Sequence, residues 1–189
     1  MLDKSVPYAG FFMVRKAGTP IPEFKLPDGY EFVLYQDGDE VFWAEIETAV
    51  LEFDNEFAAL MCFTESFKSD YPDLRKRLLF IENTKGEKVA TGNAWFSYVR
   101  GERRAWLHWI AVLPDYQGLG LGKAIISKVT QLMADLEGDV DIFLKTQTWS
   151  YKAVEVYKSC GYVTTDEKDL YKNRRCNYKK AMKILGKIK

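Results

Sequence analysis

Residues 105–126 read AWLHWIAVLPDYQGLGLGKAII. Ala105 to Val112 is rich in aromatic and β-branched residues and predicts a strand, ended by the Pro114-Asp115 turn. The stretch Gln117-Gly118-Leu119-Gly120-Leu121-Gly122 then leads directly into a helical pattern. Glycines at 118, 120 and 122 remove side chains where a backbone must come close to a partner. The helix that follows leaves its first N–H groups unpaired at the positive end of its dipole. A junction of this kind predicts a phosphate-binding site.

Spacing narrows the choice of ligand. A Walker loop ending at Gly122-Lys123 requires Gly at 117 and Ser or Thr at 124, and the chain has Gln117 and Ala124. A dinucleotide fingerprint begun at Gly118 and Gly120 requires a third Gly at 123, where Lys123 stands. Both patterns fail. The segment instead resembles the Gln/Arg-x-x-Gly-x-Gly/Ala loop of the GNAT superfamily of acetyl-CoA-dependent N-acetyltransferases.

Beyond the loop, Ile125, Val129, Leu132 and Leu136 predict one buried helical face, stopped at Gly138. Val140 to Thr146 predicts a short buried strand. Ser150 to Ser159 predicts a helix with Ala153, Val156, Tyr157 and Cys160 on one side and Gly161 at its end. Tyr162-Val163 resumes an extended course, and the last segment to Lys189 is expected to add a strand and a basic end.

Upstream, the prolines 20, 22 and 27 with Gly29 predict little regular structure before residue 29. Tyr30 to Tyr35 reads as a strand. Asp39 is placed to cap a helix over Val41 to Leu51, its spacing set by Val41, Ala44, Ile46 and Val50. A second helix covers Glu56 to Lys68. Leu78 to Glu82, the Asn83-Gly86 turn and Lys88 to Val99 predict a strand pair, turned again at Arg100-Gly101-Glu102. The expected organisation is an irregular lead over residues 1–28, packed on one domain over 29–189. Its fold class is mixed α/β. The resemblance implies the GNAT form of it, a mostly antiparallel central sheet flanked by helices.

The resemblance also implies an activity, transfer of an acetyl group from acetyl-CoA directly to a primary amine, with no metal. The backbone of Gln117, Gly118, Leu119, Gly120, Leu121 and Gly122 would meet the pyrophosphate. Lys123 would add charge there, or simply occupy a helix surface. Ile110, Ala111 and Val112 would pair with the pantetheine arm. Ser150 stands where the family often has Asn and offers one shorter hydroxyl to the same ligand, or a helix cap. Tyr157, in a helix similar to the family's Asn-x-x-Ala-x-x-x-Tyr-x-x-x-Gly-Phe pattern, would hydrogen-bond the departing thiolate.

His108 is the only histidine. It lies four residues before Val112, so strict alternation points His108, Ile110 and Val112 the same way. It resembles the base of arylalkylamine-type members, and it equally fits a packed strand residue among Trp106 and Trp109. Glu102 and the acids of the first two helices are the reserve bases. Cys160 has no second histidine to activate it and reads as a packed thiol.

Bulk properties limit the partners. The 189 residues fit one domain, and 27 basic against 27 acidic residues give no nucleic-acid signature. No apolar run reaches membrane-spanning length, and no signal-peptide pattern is present. Three cysteines without CxxC spacing suggest reduced thiols and a cytoplasmic setting. The partners expected are a small-molecule or protein amine, with a homodimer left open. Between Leu26 and Phe67 eleven acids occur without one Lys or Arg. That run is either a solvated face or an attraction for a cationic acceptor such as a polyamine, aminoglycoside or lysine side chain. Trp95, Trp106 and Trp109 could instead wall an arylalkylamine pocket. Two other readings remain: an acyl-CoA sensor of the same fold without turnover, and nucleic-acid binding through a tail that includes Arg174 and Arg175.

Overall fold

The computed structural model describes residues 2–67, 71–167 and 176–188. Lys68, Arg174, Arg175 and Lys189, expected in the second helix and the basic tail, lie outside the described residues. The elements are β1 (Gly10–Arg15), β2 (Tyr30–Leu34), α1 (Glu40–Ala49), α2 (Glu56–Phe67), α3 (Tyr71–Arg77), β3 (Leu78–Asn83), β4 (Lys88–Val99), β5 (Glu102–Val112), α4 (Leu121–Glu137), β6 (Ile142–Gln147), α5 (Tyr151–Ser159), β7 (Val163–Thr165) and α6 (Tyr178–Leu185). One seven-stranded sheet has the order β2-β3-β4-β5-β6-β1-β7. Its neighbours are antiparallel except β5 and β6, which run parallel. This is the mixed, mostly antiparallel sheet anticipated for the chain. No helix among the described residues is long and apolar enough to cross a membrane.

Each face of the sheet buries its own set of side chains. Ile125, Val129 and Met133 of α4 pack with Leu79, Ala90, Leu107, Leu144 and Met13 on one face. Trp43, Phe63 and Phe67 of α1 and α2 pack with Phe80, Trp95 and Ala111 on the other. The helical stripes differ from the expected ones by a fraction of a turn. On α4 Met133 is fully buried and Leu136 is 38% exposed, because the last turn aims Glu137 at Arg77 and Arg103 instead. On α1 Val41 is exposed, and the buried face is Trp43, Ala44, Ile46 and Glu47.

Three further expectations are corrected. Residues 10–15 are not irregular: β1 is buried at every position and lies between β6 and β7. Phe11 and Met13 enter the α4-side core while Phe12 and Val14 pack with Trp106 and Phe143. A strand buried on both faces is a continuous apolar run without alternation, which hides its period. The final segment is helical over Tyr178–Leu185 rather than extended, with Asn177 Oδ1 accepting from the Lys180 N–H at 3.0 Å and Ala181 in the core. Asp39 sits at the start of α1 but does not cap it. Its carboxylate accepts from the Gln36 N–H and pairs with Lys88 at 3.1 Å.

The alternation of β5 breaks at one point. Thr91 faces Ala111 and Asn93 faces His108, so Trp109 and Ile110 together oppose Gly92. This is a β-bulge, and Trp109 adopts a φ of 53° to make it. The extra residue reverses the parity of the strand. Ile110 and Val112 pack toward α4. Trp109 packs on Trp43, with ring centroids 5.2 Å apart, and His108 lies beside Trp106. The expectation that His108, Ile110 and Val112 share a face is therefore wrong. Gly92 makes room for the bulge: an added Cβ would lie 2.6 Å from Ile110 Cδ1 and 3.0 Å from Val129 Cγ2. Gly92→Ala is expected to cost about 1–3 kcal/mol by overpacking. A urea midpoint equal to that of the native chain would contradict this.

Candidate functional site

The parallel pair β5–β6 holds together only briefly. Its register is Ala105↔Ile142 and Trp106↔Phe143. Beyond these residues the strands part, although β5 continues to Val112 and β6 to Gln147. Parted strands leave backbone donors and acceptors without the partners a sheet would supply. The opening leads into a cavity of about 470 Å³ whose walls include Leu107–Ile110, Lys145–Gln147, Ser150 and Tyr157. Glu47, Leu51 and Glu52 close one side. The segment before β1 crosses the opening: the Leu2 N–H donates to Val50 O and the Asp3 N–H to Trp149 O at 2.9 Å.

The glycine loop follows the carboxyl end of β5, the end at which the strands part. A short 3-10 turn over Pro114–Tyr116 leads into it. Gly118 and Gly120 both have a φ of 86°, the left-handed region that favours glycine. Nothing lies within 4 Å of a Cβ built on either. Gly122 has ordinary backbone geometry, so its missing side chain is not required by the turn. Among the described residues, the N–H groups of Gly118, Leu119 and Gly120 donate to no other group. An open concave backbone with free donors at the start of a 17-residue helix fits a diphosphate.

The flanking side chains do other work. Gln117 Nε2 donates to Val112 O at 2.9 Å and straps the loop to the strand. Leu121 is buried in the core and Leu119 is half exposed. Lys123 is exposed, with its ammonium 5.6 Å from the Phe24 ring centre. Ala111 and Val112 pair with Thr91 and Ala90 of β4.

α5 carries two of the expected groups. Ser150 precedes it without capping it and lines the cavity. Tyr157 is 8% exposed and also lines the cavity. Burial, with Tyr162 and the two carboxyls nearby, holds its phenol well above the usual range. It is a neutral donor at every working pH. The buried face of α5 is Val154, Tyr157 and Cys160, with Ala153 and Val156 half buried. Cys160 Sγ lies 4.0 Å from Lys123 O, which ties the end of α5 to the first turn of α4. Burial pushes its thiol up, against a role as nucleophile.

His108 lines the cavity as well, but its surroundings weaken it as a base. Burial pushes the imidazole down to about 4. Glu102 does not line the cavity; it is exposed and paired with Arg104 at the start of β5. Of the aromatic candidates Trp106 and Trp109 line the cavity, whereas Trp95 is enclosed by Phe67 and Phe96. Part of the acidic run is bound elsewhere, Asp39 to Lys88 among it. Asp37 pairs with Arg75, and Glu40 accepts from the Tyr35 hydroxyl.

Glu47 reaches the cavity, as does Glu52. Glu47 lies one helical turn after Trp43 on the buried face of α1. It is 3% exposed, and among the described residues its Oε1 has no hydrogen-bond partner. Burial first, and then the charge of Glu52, push its carboxyl up to about 8. A stripe phased on Val41 leaves this acid off the buried face, and the observed face of Trp43, Ala44, Ile46 and Glu47 includes it. The folded chain holds this proton more tightly than the unfolded chain, where the value is 4.5. Its contribution to stability is complete below that value and is lost as pH rises toward about 8. Glu47→Gln should therefore gain a few degrees in Tm over the native chain between about pH 5 and about pH 8. Thermal melts showing a pH-independent gap would refute it.

A parallel strand pair thus opens beside a donor-lined helix start. The chain matches the acetyltransferase (GNAT) family over residues 21–162, and it belongs to that family. It is similar to mycothiol acetyltransferase of Streptomyces coelicolor, 27% identical over 82% of this chain and 50% of that protein. It is also similar to thialysine N-epsilon-acetyltransferase of Bos taurus, 35% identical over 39% of this chain and 43% of that protein. The chain thus spans about half the length of these relatives. Among solved structures, a GCN5-related N-acetyltransferase of Sphaerobacter thermophilus superposes with a TM-score of 0.66. That match covers 85% of this chain and 49% of that one at 20% identity, a likeness of fold alone.

Proposed function

We propose that the chain transfers an acetyl group from acetyl-CoA directly to a primary amine. The observation that carries this reading is the parting of β5 from β6 after Trp106 and Phe143, with the free donors of Gly118–Gly120 at the same end. In this reading the N–H groups from Gln117 to Gly122 hold the diphosphate. The arm of the coenzyme runs along β5 between Ile110 and Val112 toward Ser150, and Lys123 adds only long-range charge. Holding the thioester between two strands fixes its carbonyl for attack, which is where much of the rate arises. A strand N–H near the bulge polarises that carbonyl, His108 shapes the wall beside it, and Tyr157 donates a hydrogen bond to the sulfur as it leaves.

The amine enters beneath the crossing at Leu2–Lys4. The two relatives are named for small molecules, mycothiol and thialysine, and this supports a small-molecule acceptor over a protein lysine. Glu47 and Glu52 offer an ammonium two acceptors beside Lys4 and Lys145, and Trp109 favours an apolar stem behind it. The test is a thiol-release screen of acetyl-CoA against polyamines, aminoglycosides, lysine-like amino acids and arylalkylamines. Release with at least one class is expected. Tight coenzyme binding without release from any class would identify a coenzyme-binding module without turnover.

A further inference from the structure

We infer that Glu47, on α1, is the catalytic base that takes the proton from the bound ammonium. The inference rests on the acetyl-transfer reading and names the residue that reading lacks. Three observations carry it. Glu47 lines the same cavity as Tyr157 and His108. It is almost wholly buried, yet one carboxyl oxygen has no partner among the described residues. A buried carboxyl without a partner costs folding free energy, and a ligand N–H is the kind of group that would satisfy it.

Proton affinities favour Glu47 over His108 as well. An alkylammonium near 10.4 would lose its proton to an imidazole at about 4 against a gradient of roughly six powers of ten. The carboxyl at about 8 faces only about two. Of the other titratable groups around Glu47, Glu52 raises it further, and Lys4 and Lys145 lie nearer Glu52. Tyr157 stays neutral, and Cys62 on α2 is a thiol pushed up by burial. None replaces Glu47 as an acceptor of the proton.

The step balances. The ammonium gives one proton to the Glu47 carboxylate, and the freed nitrogen pair attacks the thioester carbonyl. The C–N bond forms, and the C–S bond breaks with its electron pair on sulfur. The second nitrogen proton passes to that sulfur, giving an amide and a thiol. Glu47 returns its proton to solvent through the mouth of the cavity.

The experiment is the pH profile of kcat/KM for the native chain, Glu47→Gln and His108→Gln, with the amine found in the screen and with calorimetry of coenzyme A binding alongside. The native profile is expected to rise toward about pH 8. Glu47→Gln should lose about 10²–10⁴-fold in kcat and also lose that rising limb, while binding coenzyme A as before. His108→Gln should keep the limb. A Glu47→Gln rate within a few-fold of native with the limb intact would overturn the proposal while leaving acetyl transfer standing. Failure of the native chain to release thiol with any amine would instead overturn acetyl transfer, and the proposal with it.

Discussion

Gly120→Glu is expected to abolish coenzyme binding while leaving the fold intact. Gly120 immediately precedes α4 with a φ of 86°. A side chain there must adopt the left-handed conformation, at a cost of roughly 1–2 kcal/mol. Space is not the obstacle, because nothing lies within 4 Å of an added Cβ. Charge is. A carboxylate at a helix N-terminus satisfies the donors that would hold the diphosphate and repels that anion. The same carboxylate favours the helix, which offsets part of the backbone strain. Calorimetry should show affinity for coenzyme A reduced by about 100-fold or more for Gly120→Glu and by no more than about tenfold for Gly120→Ala. Equal losses in the two variants would mean that the loop acts through its shape and not through its donors. Undiminished affinity in both would place the coenzyme elsewhere.

Tyr157→Phe should separate chemistry from binding. The hydroxyl of Tyr157 makes no hydrogen bond among the described residues, and the ring is buried with Val154 and Tyr162. Removing the oxygen therefore leaves the packing unchanged, and Tm should stay where it is. The thiolate that forms as the C–S bond breaks would lose its donor. Loss of one such donor to a developing anion costs about 10²–10³ in kcat. The KM for acetyl-CoA should barely move, because the neutral thioester sulfur is a poor acceptor before bond breaking. Donation of a hydrogen bond is the consistent role. A phenol held above its usual range is a weaker acid than a thiol, so full proton transfer to sulfur would run uphill. If Tyr157→Phe turned over at the native rate, the sulfur would be stabilised by another group.

The strand-to-helix junction was legible because its signals are local. Gly118 and Gly120 mark positive φ, Gly138 and Gly161 end helices with φ of 82° and 87°, and the β-branched run marks β5. Each depends on a few consecutive residues. The N-terminal strand was not legible, since burial on both faces of the sheet erased its alternation. α6 was missed although Asn177 gives a proper capping signal, because its apolar positions Ala181, Met182 and Leu185 gain meaning only against the core they meet.

Adjacent residues are enough for the mixed α/β class, the loop at Gln117–Gly122 and the tyrosine helix. Only packing brings Glu47 and Glu52 to the cavity beside His108. The bulge at Trp109 and Ile110 turns His108 away from Ile110, and its buried surroundings lower its affinity for protons. The packing of α1 on the sheet carries Glu47 into the same cavity and raises its own. Proton affinity follows the dielectric and the charges around a group. Those come from segments sixty residues apart in the chain, about the separation of Glu47 and His108.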